Sequence, residues 1–405
     1  MAKIKVEKLK DCTNVERFMV HSVRDRRVKS KPELLTGSRD LRFDSLRGLF
    51  LVLMTVNHLP TEIREVTDQP VGLFAAAEGF VFLSGLLAGW VYTRKYRSGG
   101  LQGLWKATTD RARGIYRWHV GAFLAAFVLV QATEHALGYC SPNVPKLFFE
   151  HPLESVGLGL SLLYQPGLLD LLPMYCGFVL LLPTVIRALE TGRRWWVLGI
   201  SAAVWFAVQW APAVDGAPLY PINTGSFNLF AWQFLFVAGV AVGHARVSGF
   251  AQLARPSRWV LLGAGAVALY GFGIRHAQWP SLWPNPTFGV LLNKPALGLL
   301  RMADFGCVAY LVAAVGARFP SALTSRPLAL LGRHSLAVVA VQSVAVMTFL
   351  QFPALSDTVA ARTLTVAATV GVLFAAACLR ETFAPAARPP VPAAQSELAT
   401  ARTPV

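Results

Sequence analysis

Charge is what this sequence has least of. Only 15% of its 405 residues are Asp, Glu, Lys or Arg, against roughly 25% in soluble domains, while 54% are hydrophobic. That balance excludes an ordinary soluble protein of this length. Cysteine is scarce as well, and Cys12, Cys140, Cys176, Cys307 and Cys378 fall in no paired or metal-ligand spacing. Neither a disulfide framework nor a metal site is expected. Residues 1–38 are basic and polar and hold no apolar core of the signal-peptide kind, so they are expected to be a cytoplasmic tail and not a secretory signal. The Ala/Pro-rich stretch 384–405 reads as a second disordered tail on the same side. No inverted internal repeat of the transporter kind is visible.

What is present is a succession of apolar segments of about 20 residues, the length that spans a bilayer. Ten are counted, at 42–59, 71–93, 115–137, 168–188, 195–212, 227–245, 258–275, 294–316, 328–350 and 362–380. The expected fold is therefore an all-α polytopic membrane bundle of about ten transmembrane helices over 39–383. The net charge of +16 could point to nucleic acid, but its placement argues otherwise. With both ends in the cytoplasm, about 32 of the 38 Lys and Arg residues fall on the cytoplasmic side. This is the positive-inside asymmetry, so the lipid bilayer is the expected partner and nucleic acid is not.

Ionisable groups inside apolar runs are costly and mark cavities or partners. The first segment, RDLRFDSLRGLFLVLMTVNHLP, carries Asp44, Arg47 and His58. Arg47 and His58 are eleven residues apart, which places them on one helix face about 16 Å apart along the axis. An interface ion pair would also explain Asp44 with Arg47, and a structural helix-end histidine would explain His58. Glu78 lies two turns inside the second segment, where a hydrogen bond to a neighbouring helix would also explain it, and Gly85 and Gly89 are spaced for close helix packing. Further on, Asp170, Tyr175, Asn228, Trp232, Gln233, Lys294, Arg301 and Asp304 all fall at the outer ends of their segments. Lys294 and Arg301 share a face, and Asp304 is spaced to pair with Arg301. Polar groups converging at one depth favour an outward-opening polar cavity.

Taken in order, "RDLRFDSLRG…NHLP", "AAEGFVFLSG", "YQPGLLDLLPMY", "FNLFAWQFLFVAG", "NKPALGLLRMADF…AYL" and "LGRHSLAV" resemble successive blocks of the OpgC family. This family of osmoregulated periplasmic glucan succinyltransferases is related to the wider acyltransferase-3 group. The resemblance covers about residues 39–350 and implies a bacterial inner-membrane O-acyltransferase. The enzyme would move an acyl group, succinyl in preference to acetyl, from cytoplasmic acyl-CoA to a hydroxyl of a periplasmic carbohydrate. The wider group's Arg-x10-His signature falls on Arg47 and His58, and Asn57 stands where the family often has an acid.

On that reading His58 is the general base and Glu78 orients it. Arg47, Arg111, Arg113 and Arg333 meet the phosphates of CoA. Asp44, Asp170, Tyr175, Asn228, Trp232, Gln233, Lys294 and Arg301 bind substrates. Succinyl-CoA or acetyl-CoA is a co-substrate, no cofactor is tightly bound, and the implied partners are the carbohydrate acceptor and other glucan-synthesis proteins. The rival class is a secondary transporter of an anionic solute, which would also need a polar cavity with lone cations. A nearer alternative is an O-acetyltransferase of a different envelope glycan.

Overall fold

Residues 40–138, 146–210, 225–249, 257–282 and 285–383 are described by the computed structural model of this chain. The two tails at 1–38 and 384–405, with Cys12 and Cys140, lie outside the described residues. Apolar runs too long for loops become helices, because a backbone in lipid must satisfy its own hydrogen bonds. In chain order the helices are α1 (Leu41–Asn57), α2 (Ile63–Thr67), α3 (Ala76–Leu137), α4 (Leu147–Glu150), α5 (Pro152–Leu160), α6 (Leu171–Glu190) and α7 (Arg194–Val208). They continue with α8 (Leu229–Val247), α9 (Arg258–His276), α10 (Asn285–Leu291), α11 (Leu299–Arg318), α12 (Arg326–Arg333), α13 (Ser335–Leu350) and α14 (Val359–Thr382). No strand occurs among the described residues.

Each of the ten apolar segments falls on a helix, yet the number of spans does not follow. Among the described residues five helices, α3, α6, α8, α11 and α14, are long and apolar enough to cross a bilayer. A sixth is counted if α12 and α13, bent by 88° at His334, form one broken span. Four expected spans are not counted separately, among them α9, which opens on Arg258 and closes on Arg275 and His276. The 17 residues of α1 include Arg42, Asp44 and Arg47 in the first half, α7 has only 15 residues, and two expected spans merge into α3. The basic stretch expected as a loop between them is helical, interrupted only at Gly100, whose φ of 63° breaks the regular backbone.

Small residues set the closest packing. A Cβ added at Gly85 or Gly89 of α3 would overlap the backbone carbonyl of Phe236 or Val240 on α8. Gly239 and Gly243 meet α3 in the same way, against the carbonyls of Phe82 and Leu86. The expected glycine contact is thus a reciprocal one, two small residues four apart on each helix. Beside it, Phe178 and Phe236 stack at 5.0 Å, and Tyr175 packs edge-on against Phe80 at 6.1 Å. On another side of the bundle Gly48 of α1 lies against the Leu328 carbonyl of α12, and Gly332 of α12 against the Asp44 carbonyl. Ser45 Oγ donates to the Ser325 carbonyl at 3.0 Å across this contact. Asp44 is buried in it.

Candidate functional site

The last turn of α1 tightens before Pro60: the amides of His58 and Leu59 donate to Thr55 and Val56 at 3.2 and 3.1 Å. A proline cannot continue the helix, so the chain turns away and leaves His58 at its end. The His58 side chain is exposed, lines a cavity of about 520 Å3, and its ring makes no hydrogen bond among the described residues. Asn57 is occupied elsewhere, accepting from Thr67 Oγ1 at 2.6 Å and donating to the Thr67 carbonyl at 3.1 Å. It ties the segment after α1 back onto the helix end.

Two further charged candidates reach the same cavity. Asp170, at the start of α6, is buried and accepts from the Ser226 amide at 2.8 Å. Lys294 stands on the segment before α11 and lines the wall with Asp170 and His58. That segment is held by donors from other helices. The Asn228 amide and Trp232 Nε1 both donate to the Pro295 carbonyl at 3.1 Å. Gln209 Nε2 reaches the Ala296 carbonyl at 2.7 Å and Trp205 Nε1 the Leu297 carbonyl at 2.9 Å. Lys294 is therefore presented from a braced backbone.

Five of the expected substrate ligands, Asp44, Tyr175, Asn228, Trp232 and Gln233, sit in packing or bracing positions and do not line this cavity. Asn228 caps α8, its side-chain oxygen accepting from the Phe230 and Ala231 amides at 3.0 and 3.1 Å. Trp232 is fully buried, and Gln233 accepts from Ser201 Oγ at 2.6 Å between α7 and α8. Tyr175 sits in the aromatic core, its hydroxyl 3.5 Å from the Phe80 carbonyl. Asp44 belongs to the contact of α1 with α12.

The expected contact of Glu78 with His58 is not made. One carboxylate oxygen of Glu78 accepts from Arg301 Nε at 3.0 Å and also from the same guanidinium's terminal nitrogen. The other accepts from the Ala75 amide at 3.1 Å and so caps α3. Both side chains are almost wholly buried. A permanently charged, two-pronged guanidinium matches a buried carboxylate better than an imidazole does. The expected pair of Arg301 with Asp304 is displaced for the same reason, and Asp304 instead accepts from the Leu73 amide at 2.6 Å. Arg301, already neutralised, is not among the cavity lining.

Sequence reasoning missed Gln342 and Ser343 on α13. Both are buried and line the cavity; Ser343 Oγ donates to the Leu168 carbonyl at 2.6 Å, while Gln342 Oε1 has no partner. Two adjacent polar residues in the apolar run "LAVVAVQSVAVM" were the available signal.

The cation candidates lie elsewhere in the fold. Arg47 donates to Ser335 Oγ at the start of α13, with its guanidinium 5.3 Å from the centre of the Phe80 ring. Arg333 pairs with Glu381 at 2.8 Å, and His334 bonds the same carboxylate. Arg111 and Arg113 are exposed on α3 beyond Gly100, and Arg113 pairs with Asp110 at 3.2 Å. Among the described residues no group of three or more His, Cys, Asp or Glu is placed to hold a metal, and Cys176, Cys307 and Cys378 are unpaired.

Residues 39–384 match a family model described as OpgC protein. No curated protein and no solved structure matches the chain.

Proposed function

This chain belongs to the OpgC family, and from that membership we propose that it is a membrane O-acyltransferase in which His58 is the general base. The observation that carries the proposal is an imidazole without a hydrogen-bond partner, open to a cavity that Lys294 and Asp170 also line. A neutral imidazole carries an unprotonated ring nitrogen that can take a proton from an acceptor hydroxyl. The hydroxyl oxygen attacks the thioester carbonyl as His58 takes its proton. The C–S bond then breaks, the ester stays on the acceptor, and CoA leaves as a thiolate that recovers the proton.

In this account the donor is succinyl-CoA in preference to acetyl-CoA, and the acceptor is a glucan of the periplasm. The His58 end of the bundle faces outward and both chain ends face the cytoplasm, in the bacterial inner membrane. Arg47 and Arg111 meet the CoA phosphates from the inner side. Arg113 and Arg333 join them by exchanging Asp110 and Glu381 for phosphate, and exposed ion pairs are weak enough for that exchange.

The test uses purified full-length chain in lipid nanodiscs with succinyl-CoA labelled in the acyl group. Label should pass to the glucan with stoichiometric release of CoA. His58→Ala should lose at least about 100-fold in kcat while its unfolding temperature stays near wild type. Solute counterflow through proteoliposomes lacking acyl-CoA, with no label on glucan, would instead make the chain a transporter.

A further inference from the structure

A second cavity of about 320 Å3 adjoins the first and shares Pro60, Arg64 and Asp68 with it. Its lining is completed by Thr61, Glu65 and Arg275. The volume lies at the lower end of the roughly 300–1,000 Å3 of small-molecule sites. Apart from Pro60, every residue around it offers a polar side chain.

A charged rim is ordinarily a solvated face, but three features set this one apart. The first is its scaffold. The segment from Pro60 to Ala75 is tied down by Asn57 at Thr67, by His276 Nε2 at the Gln69 carbonyl (3.1 Å), by Asp304 at the Leu73 amide (2.6 Å) and by the Glu62–Arg362 pair (2.7 Å). The backbone that carries Arg64, Glu65 and Asp68 is therefore anchored, so their side chains project from a fixed frame.

The second feature is what those side chains do not do. Among the described residues Arg64, Glu65, Asp68 and Arg275 form no ion pair with one another within 4.0 Å, although two guanidiniums and two carboxylates surround one small space. Arg275 Nε is buried without an acceptor, which costs free energy until a ligand or water fills the role.

The third feature is charge balance. Two cations and two anions cancel, so the site favours neither the phosphates of CoA nor a cationic solute. Separated donors and acceptors of full charge, with a hydroxyl beside them, suit a neutral molecule covered in hydroxyl groups, each of which both donates and accepts.

We propose that this second cavity is a sugar subsite. One unit of the acceptor presents its hydroxyl to His58, while a neighbouring unit of the same chain lies among Arg64, Glu65, Asp68 and Arg275. The inference rests on the acyl-transfer reading and specifies its second substrate.

The experiment compares kcat/KM for two acceptors, the oligosaccharide glucans extracted from a bacterial envelope and free glucose, at one saturating labelled acyl-CoA concentration. Wild type should favour the oligosaccharides by at least about tenfold per reducing end. Glu65→Gln and Arg275→Gln, which touch only the second cavity, should each lower that ratio several-fold. Because the ratio is taken within one protein sample, partial misfolding cancels. Equal use of both acceptors by wild type, or a ratio unchanged in both variants, overturns the subsite. Folded protein that labels neither acceptor defeats the acyl-transfer reading itself, and the subsite falls with it.

Discussion

Lys294 is the lysine of the cavity that holds His58 and Asp170. A succinyl donor brings a free carboxylate into a half-enclosed site, and a carboxylate partly withdrawn from water is costly without a cation beside it. Arg301 is already committed to Glu78, which leaves the task to Lys294. Lys294→Gln should therefore lower kcat/KM for succinyl-CoA by about tenfold or more and for acetyl-CoA by no more than about threefold, measured on the same preparation. Equal losses on the two donors would remove Lys294 from donor selection.

His58, Asp170 and Lys294 were legible in the sequence because each is an ionisable group at the end of an apolar run. The partner of Glu78 was not. Arg301 lies 223 positions away, whereas helical spacing pointed to Asp304, and a single sequence carries no trace of which helix lies beside which. Asn57 shows the opposite case, a local residue whose hydrogen bonds to Thr67 account for its place beside His58 without any catalytic role.

At the scale of elements, the close parallel contact of α3 with α8 brings Ala75–Ala77 and the Ser226–Phe227 segment before α8 to the wall of the cavity. The spacing of Gly85 and Gly89 already pointed to a close helix contact, although its partner, α8 with Gly239 and Gly243, emerged only from the fold. A side chain at Gly89 would collide with the Val240 backbone, which cannot rotate away. Gly89→Leu should cost about 1–3 kcal/mol and lower the unfolding temperature in detergent by several degrees. Gly121→Leu, where nothing lies within 4 Å, should leave that temperature unchanged or higher. The two apolar parts of α3 were legible as separate helices, and α3 does break between them at Gly100; what was not legible is how far each helix runs into the charged stretch. Hydropathy separates its two apolar parts by a charged stretch, and helix propensity carries the backbone through that stretch as far as Gly100.

At the scale of the whole molecule, the proposed topology gathers the basic residues on one side of the membrane and opens the cavity on the other. The account therefore divides the substrates between the two faces of the membrane, acyl-CoA on the basic side and glucan on the His58 side. The direct measurement uses proteoliposomes with the chain inserted in one known orientation, labelled acyl-CoA on one face and glucan on the other. The account predicts that label crosses to the glucan only when acyl-CoA is supplied to the face bearing the basic segments, and that His58→Ala, equally abundant and equally stable, reduces the transfer by at least about 100-fold. Transfer that requires both substrates on the same face, or that His58→Ala retains at more than about a tenth of the wild-type rate, would contradict it.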